Sequence, residues 1–201
     1  LGTWPVIKIL GMNSTASVAI ADSTLKAGTG NLVISSSSTI AVTATAQSLG
    51  TPLVNAATAF TVLVGTVTTM VSGSSTLAAA GTLDVLASNT ITSSTVADGT
   101  LGGSTVAGGS AAVSVVVSTT TAAIDGAVAI EGASDVNVKA TSANTIITTA
   151  KATQGGAGST GGGLGASLLG TGNFSTTGQA GGSPLSAGGA VALTVLTDTN
   201  K

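Results

Sequence analysis

The densest carboxylates in the chain are Asp125, Glu131 and Asp135, and they are the first place to look for chemistry. Three acidic groups within eleven residues can hold a calcium ion together with turn carbonyls, or act as an acid and base pair on a glycosidic bond. The second use needs an aromatic platform for the sugar, and the whole chain has only Trp4, Phe60 and Phe174. Both uses give way to the simpler expectation of solvated turn residues, and no metal site or cofactor site is assigned. Gly156-Ala157-Gly158-Ser159-Thr160-Gly161 fits the GxGxxG pattern, but an acidic residue about twenty positions on is missing. Position 180 is Ala, and the stretch 155–189 contains neither Asp nor Glu. That also removes the aspartates of a calcium-binding glycine-rich repeat.

What is absent narrows the field further. The chain has no His, Cys, Tyr or Arg. A Ser-His-Asp triad, a thiol nucleophile, imidazole or thiolate metal sites and bidentate arginine clamps are therefore excluded. No catalytic residue is assigned, and an enzyme is not expected. Five lysines cannot supply the phosphate contacts of a nucleic-acid surface, and single-strand stacking platforms lack their aromatics. Nucleic acid is not an expected partner.

The residues that remain are suited to surfaces rather than reactions. Thr-x-Thr recurs at Thr43/Thr45, Thr66/Thr68, Thr119/Thr121 and Thr197/Thr199. Regular stacking of such pairs would make a flat hydroxyl face of the kind that meets ice or glycan, although the irregular spacing favours ordinary threonine-rich strands. Asn13-Ser14-Thr15 and Asn173-Phe174-Ser175 are glycosylation sequons, which makes Asn13 and Asn173 candidate modification sites.

The elements that carry these residues follow from composition and repeat. Charged residues are 6% of the chain, against about 25% in ordinary domains. The apolar share rests on Ala, Val, Ile and Leu, which suits a thin β interior better than a round core. No charge occurs over residues 27–83, but the Val- and Thr-rich segment inside that window favours strands, so no transmembrane segment is expected. Leu1 is not followed by a signal-peptide pattern, as expected of a mature product or an excised fragment.

A repeat of 51 to 53 residues organises the sequence. Leu32, Leu83 and Val136 align, as do Ile34, Val85 and Val138. Apolar strand starts recur at Ala59, Ala112 and Ala190, and a third motif recurs as Ser38-Thr39-Ile40, Asn89-Thr90-Ile91 and Asn144-Thr145-Ile146. Period-2 patterning marks strands and no stretch has helical spacing. Turn chemistry separates the runs at Ala27–Asn31, Asp98-Gly99, Gly102-Gly103 and Asp125-Gly126. These features predict a single all-β domain, a parallel β-solenoid in which each repeat makes two or three coils of strands about five residues long. A β-sandwich is the competing architecture. The expected units are approximately 1–57, 58–110 and 111–189, the last with a glycine-rich insert at 155–189, followed by the opening strand of a further unit at 190–201.

Residues 109–126 and 135–146 resemble repeats of giant bacterial surface adhesins of the filamentous-haemagglutinin-like and autotransporter-like kinds. The resemblance implies a right-handed β-helix, an extracellular or cell-surface location, and a shaft segment that mediates adhesion or cohesion through a host or cell-surface ligand. A second expectation comes from the surplus strand Ala190-Val191-Ala192-Leu193-Thr194-Val195-Leu196. An open strand edge pairs readily with another chain, so the protein is alternatively the subunit of an extracellular filament that assembles with itself head to tail.

Overall fold

The computed structural model describes residues 5–47, 54–99, 107–151, 173–179 and 187–201. β1 (Val6–Ala21), β2 (Thr24–Lys26) and β3 (Leu32–Gln47) form the first coil. β4 (Val54–Ser72), β5 (Thr76–Ala78) and β6 (Thr82–Asp98) form the second, and β7 (Ala107–Ile124), β8 (Ala129–Glu131) and β9 (Asp135–Lys151) the third. β10 (Asn173–Gln179) and β11 (Ala187–Asn200) add part of a fourth level. Equivalent strands pair in parallel, giving a long sheet A (β1-β4-β7-β11), a short sheet B (β2-β5-β8) and a long sheet C (β3-β6-β9-β10). The fold is a parallel β-solenoid.

One repeat makes one coil, not two or three. The strands of the two long sheets in the three complete coils have 16 to 19 residues, because small residues within an alternating pattern do not break a strand when each stacks on a small residue in the next coil. True corners occur where the chain needs a left-handed backbone. Asp22, Gly73 and Gly126 stack at the corner between sheets A and B, with φ of 48°, 68° and 87°. Glycine reaches this region freely and aspartate is among the few others that visit it. Asp22 also serves the next coil, since its Oδ1 accepts a hydrogen bond from the Ser74 N–H at 2.8 Å.

Register confirms two of the aligned motifs and shifts two others. Leu32, Leu83 and Val136 stack, as do Ile34, Val85 and Val138. Ile91, however, stacks on Asn144 rather than Ile146, and Ala112 stacks on Ala192 rather than Ala190. Both shifts are by two residues. They preserve which face each side chain points to, so the hydrophobic pattern alone does not detect them.

Side-chain size is graded across the interior. Alanines 46, 57, 59, 97, 112, 150 and 192 cluster where sheet A strands begin and sheet C strands end. Ile40, Val42, Leu63, Ile91, Val116, Ile146 and Leu196 fill the middle. Ile34, Val71, Leu77, Leu83 and Val85 fill the side closed by sheet B, where three walls must be spanned. Small residues let two sheets meet directly, and larger ones fill the space opened by a third.

Buried hydroxyls lie between these layers and bridge the long sheets in pairs. Thr95 donates to Thr61 at 2.8 Å, Thr194 donates to Thr148 at 2.7 Å, and the Ser36 and Thr69 hydroxyls are 2.6 Å apart. A hydroxyl both donates and accepts, so two facing hydroxyls satisfy each other without water. Ser14 faces Ser38 at 2.8 Å in the first coil, and Ser118 faces Ser142 at 3.0 Å in the third. The second coil has Gly65 and Asn89 at the same two positions. The Asn89 amide fills the space that a second serine leaves elsewhere, donating to the Gly65 carbonyl at 3.2 Å and to Ser118 Oγ at 3.0 Å. A Cβ on Gly65 would lie 2.6 Å from Asn89 Nδ2.

This exchange of volumes makes a pairwise prediction. Gly65→Ser alone overpacks the layer and should cost about 1–3 kcal/mol. Gly65→Ser combined with Asn89→Ser recreates the pair of the flanking coils and should recover most of that loss. Denaturant unfolding of the two single variants and the double variant checks this, and strictly additive losses would contradict it.

Candidate functional surfaces

The solenoid offers two broad outer faces, and the alternation of each strand decides what they show. On sheet A, the residues between buried positions point outward. Ile9, Phe60, Val113 and Leu193 form one row across the coils, and Gly11, Val62, Val115 and Val195 the next. Further along, Thr15, Thr66, Thr119 and Thr199 make a row of four hydroxyls, with Ser17, Thr68 and Thr121 beside it. Ile7, Ile9 and Val191 are 60%, 69% and 47% exposed on this face. Sheet C presents a different outer surface. Ser37, Thr39 and Thr43 stack on Ser88, Thr90 and Ser94, while charged residues occupy the two ends of the strands. Near one end Asn137 donates to Asp84 Oδ1 at 2.8 Å, and Lys139 stacks on Leu86.

The Thr-x-Thr pairs divide between these faces. Thr66/Thr68 and Thr119/Thr121 lie side by side on sheet A. Thr197 stacks on Val117 and Thr199 on Thr119, so the last pair is offset by one row. Thr43/Thr45 lies on sheet C. The spacing in the sequence is irregular because one pair lies on the other sheet and one is a row out of step, whereas two of the four pairs are in register.

The carboxylates do not converge. Asp125 follows sheet A, Glu131 ends β8 and Asp135 starts β9. Asp125 Oδ1 accepts from the Gly126 N–H at 2.8 Å, and Asp135 Oδ1 from the Val136 N–H at 2.9 Å. Two of these side chains thus cap local turns. Among the described residues no group of three metal-ligating side chains forms. No described helix is long and apolar enough to cross a membrane.

Asn13 is exposed on the outer side of β1, and Thr15 of its sequon is exposed too, while Ser14 turns inward to Ser38. Asn173 opens β10, whose backbone pairs with β9 from Thr145 to Lys151. The GxGxxG match at 156–161 and most of the glycine-rich insert lie outside the described residues.

The candidate inter-subunit strand Ala190–Leu196 belongs to β11, which pairs along one edge with β7 of the same chain and forms the border of sheet A. Ala192, Thr194 and Leu196 turn into the interior and are buried. β1 forms the opposite border, and its only charged residue, Lys8, occupies the inward row otherwise made of Ala59, Ala112 and Ala192. An inward charge on a border strand opposes further pairing, because another coil would bury it. The open ends also leave inward-facing apolar residues uncovered, with Val6 and Met12 at one end 37% and 43% exposed, and Val136 and Val138 at the other 40% and 46%.

Lys8→Ala would extend the alanine row to the border. Its expected effect is stronger self-association through the β1 edge, read as a rise in mass by sedimentation at equal concentration. An unchanged mass would show that Lys8 does not guard this edge. No family model, curated protein or solved structure matches the chain.

Proposed function

We propose that this protein is a structural, non-enzymatic segment of an extracellular or cell-surface adhesin, acting through its broad flat faces in adhesion or cohesion. The observation that carries this reading is the outer face of sheet A, where rows of apolar and hydroxyl side chains repeat in register from coil to coil. A rigid stack of coils positions such rows without loops, and an exposed apolar surface of this breadth marks an interaction site. The resemblance of residues 109–126 and 135–146 to repeats of bacterial surface adhesins points the same way. The partner on this reading is a host or cell-surface ligand.

A second reading, a subunit of a self-assembling filament, is supported by the outer edge of β11, which pairs with no other strand among the described residues, and by the exposed Val136 and Val138. The guarding position of Lys8 weighs against it.

Displaying the chain on the surface of a non-adherent bacterium tests the first reading. Adherence to cells or to neighbouring bacteria should rise, and should persist in high salt because the face depends little on charge. Adherence no greater than with an inert displayed protein would overturn it. Electron microscopy over a range of concentrations tests the second, which requires filaments that lengthen with concentration and disappear when residues 190–201 are deleted.

A further inference from the structure

The charges of the chain are divided unevenly between its two broad faces. β4 and β7 contain no charged residue. β1 and β11 contain one each, Lys8 and Asp198, and both occupy inward rows. Asp198 reaches Asn144, whose Nδ2 donates to its Oδ2 at 3.0 Å across the interior. The outer face of sheet A is therefore free of charge across four strands from the row of Ile7 to the row of Thr15, and its one charge, Lys201, continues β11 beside Thr121 at one end of the face. Sheet C, with the same number of strands, carries Asp84, Lys139 and Lys151 on its outward rows, with Asp98 buried at the end of β6. The composition of the whole chain does not explain this difference, since the two sheets share it.

We propose that the outer face of sheet A is a pairing surface for the same face of a second copy of this chain, with the two sheets packed face to face. The size of the face fits that occupant. Its outward rows from Ile7 to Ala19 and their equivalents span roughly 40 Å along the strands and about 19 Å across four of them, about 760 Å² per copy. A stable protein pair buries about 800 Å² on each side. The centre of such an interface is depleted of charge and enriched in apolar side chains, as are the rows containing Phe60, Val62, Val113 and Val115. No ion has to be stripped of water on the rows from Ile7 to Thr15, Lys201 stands at the rim, and the hydroxyl rows can satisfy one another as the buried pairs inside the coil do.

A face that meets its own copy through a two-fold axis closes as a dimer and does not propagate. This separates it from strand-edge assembly, which involves β1 and β11 and grows without limit. The pairing uses the same face of sheet A as the adhesive function proposed above, and its test reads the mass of the purified chain rather than adherence, so either can fail without the other.

Size-exclusion chromatography with light scattering on the 201-residue chain, over a concentration series, tests the proposal. The expected mass rises from one chain to two and stops there. Val115→Lys, at the centre of the face, should weaken the association by about a hundredfold or more, because an unpaired charge is then buried at the contact. Ile9→Lys, at a position 69% exposed in the single chain, should weaken it in the same direction without touching the interior. Thr92→Lys, exposed on sheet C, should leave it unchanged. Circular dichroism reports whether each variant keeps its β structure, and Ile9→Lys decides the matter if Val115→Lys does not fold. A single-chain mass at every concentration would overturn the proposal. So would association that survives both sheet A substitutions, or that Thr92→Lys weakens equally.

Discussion

The structure depends on the in-register parallel ladder between successive coils. Each residue lies level with its equivalents in the coils above and below, and the backbone hydrogen bonds run to the residues flanking those equivalents, so a position is a column rather than a single site. Side-chain volume must then balance twice, down the column and across the interior to the facing sheet. The alanine columns at one side and the larger aliphatic columns at the other satisfy both conditions. The Gly65 and Asn89 exchange shows how closely the balance is kept, since one coil alters both partners at once.

The same constraint explains the composition. Serine and threonine are abundant inside as well as outside, which in a compact domain would leave polar groups without partners. Here the two long sheets place many hydroxyls opposite hydroxyls, as at Thr61 and Thr95 or Thr148 and Thr194, while the buried Ser110 and Thr120 hydroxyls have no such partner among the described residues. Low charge has a related cause. A charge in an inward column would have to be accommodated by the coils above and below it, and the two inward charges, Lys8 and Asp198, occur only on the border strands β1 and β11.

Much of this was legible in the sequence. The 51- and 53-residue spacings of Leu32, Leu83 and Val136 are the ladder register itself. Strand length was not legible, because Ser, Thr, Ala and Gly signal turns when read alone and become strand residues only when equivalents stack on them. The two-residue shifts at Asn144 and Ala192 escaped notice because they keep the inward and outward alternation. The nearly charge-free outer face of sheet A was hidden for another reason. It is assembled from alternate residues of four segments spread along the chain, and no continuous stretch displays it. Combining the alternation of each strand with the repeat spacing was the signal that would have found it. The carboxylates read as turn residues in the sequence, and the geometry adds that Asp125 and Asp135 accept from neighbouring backbone N–H groups.

The long strands set how the fold converts sequence into dimensions. A coil raises the stack by one strand spacing, about 4.8 Å, whatever its length. With 51 to 53 residues in each coil, three complete coils and part of a fourth give a slab that is several times broader than it is tall. A narrow solenoid with short coils would gain far more reach from the same number of residues. This architecture is poor at spanning distance and good at presenting width: each added repeat contributes another line of side chains to a wide tile, in step with the line before it.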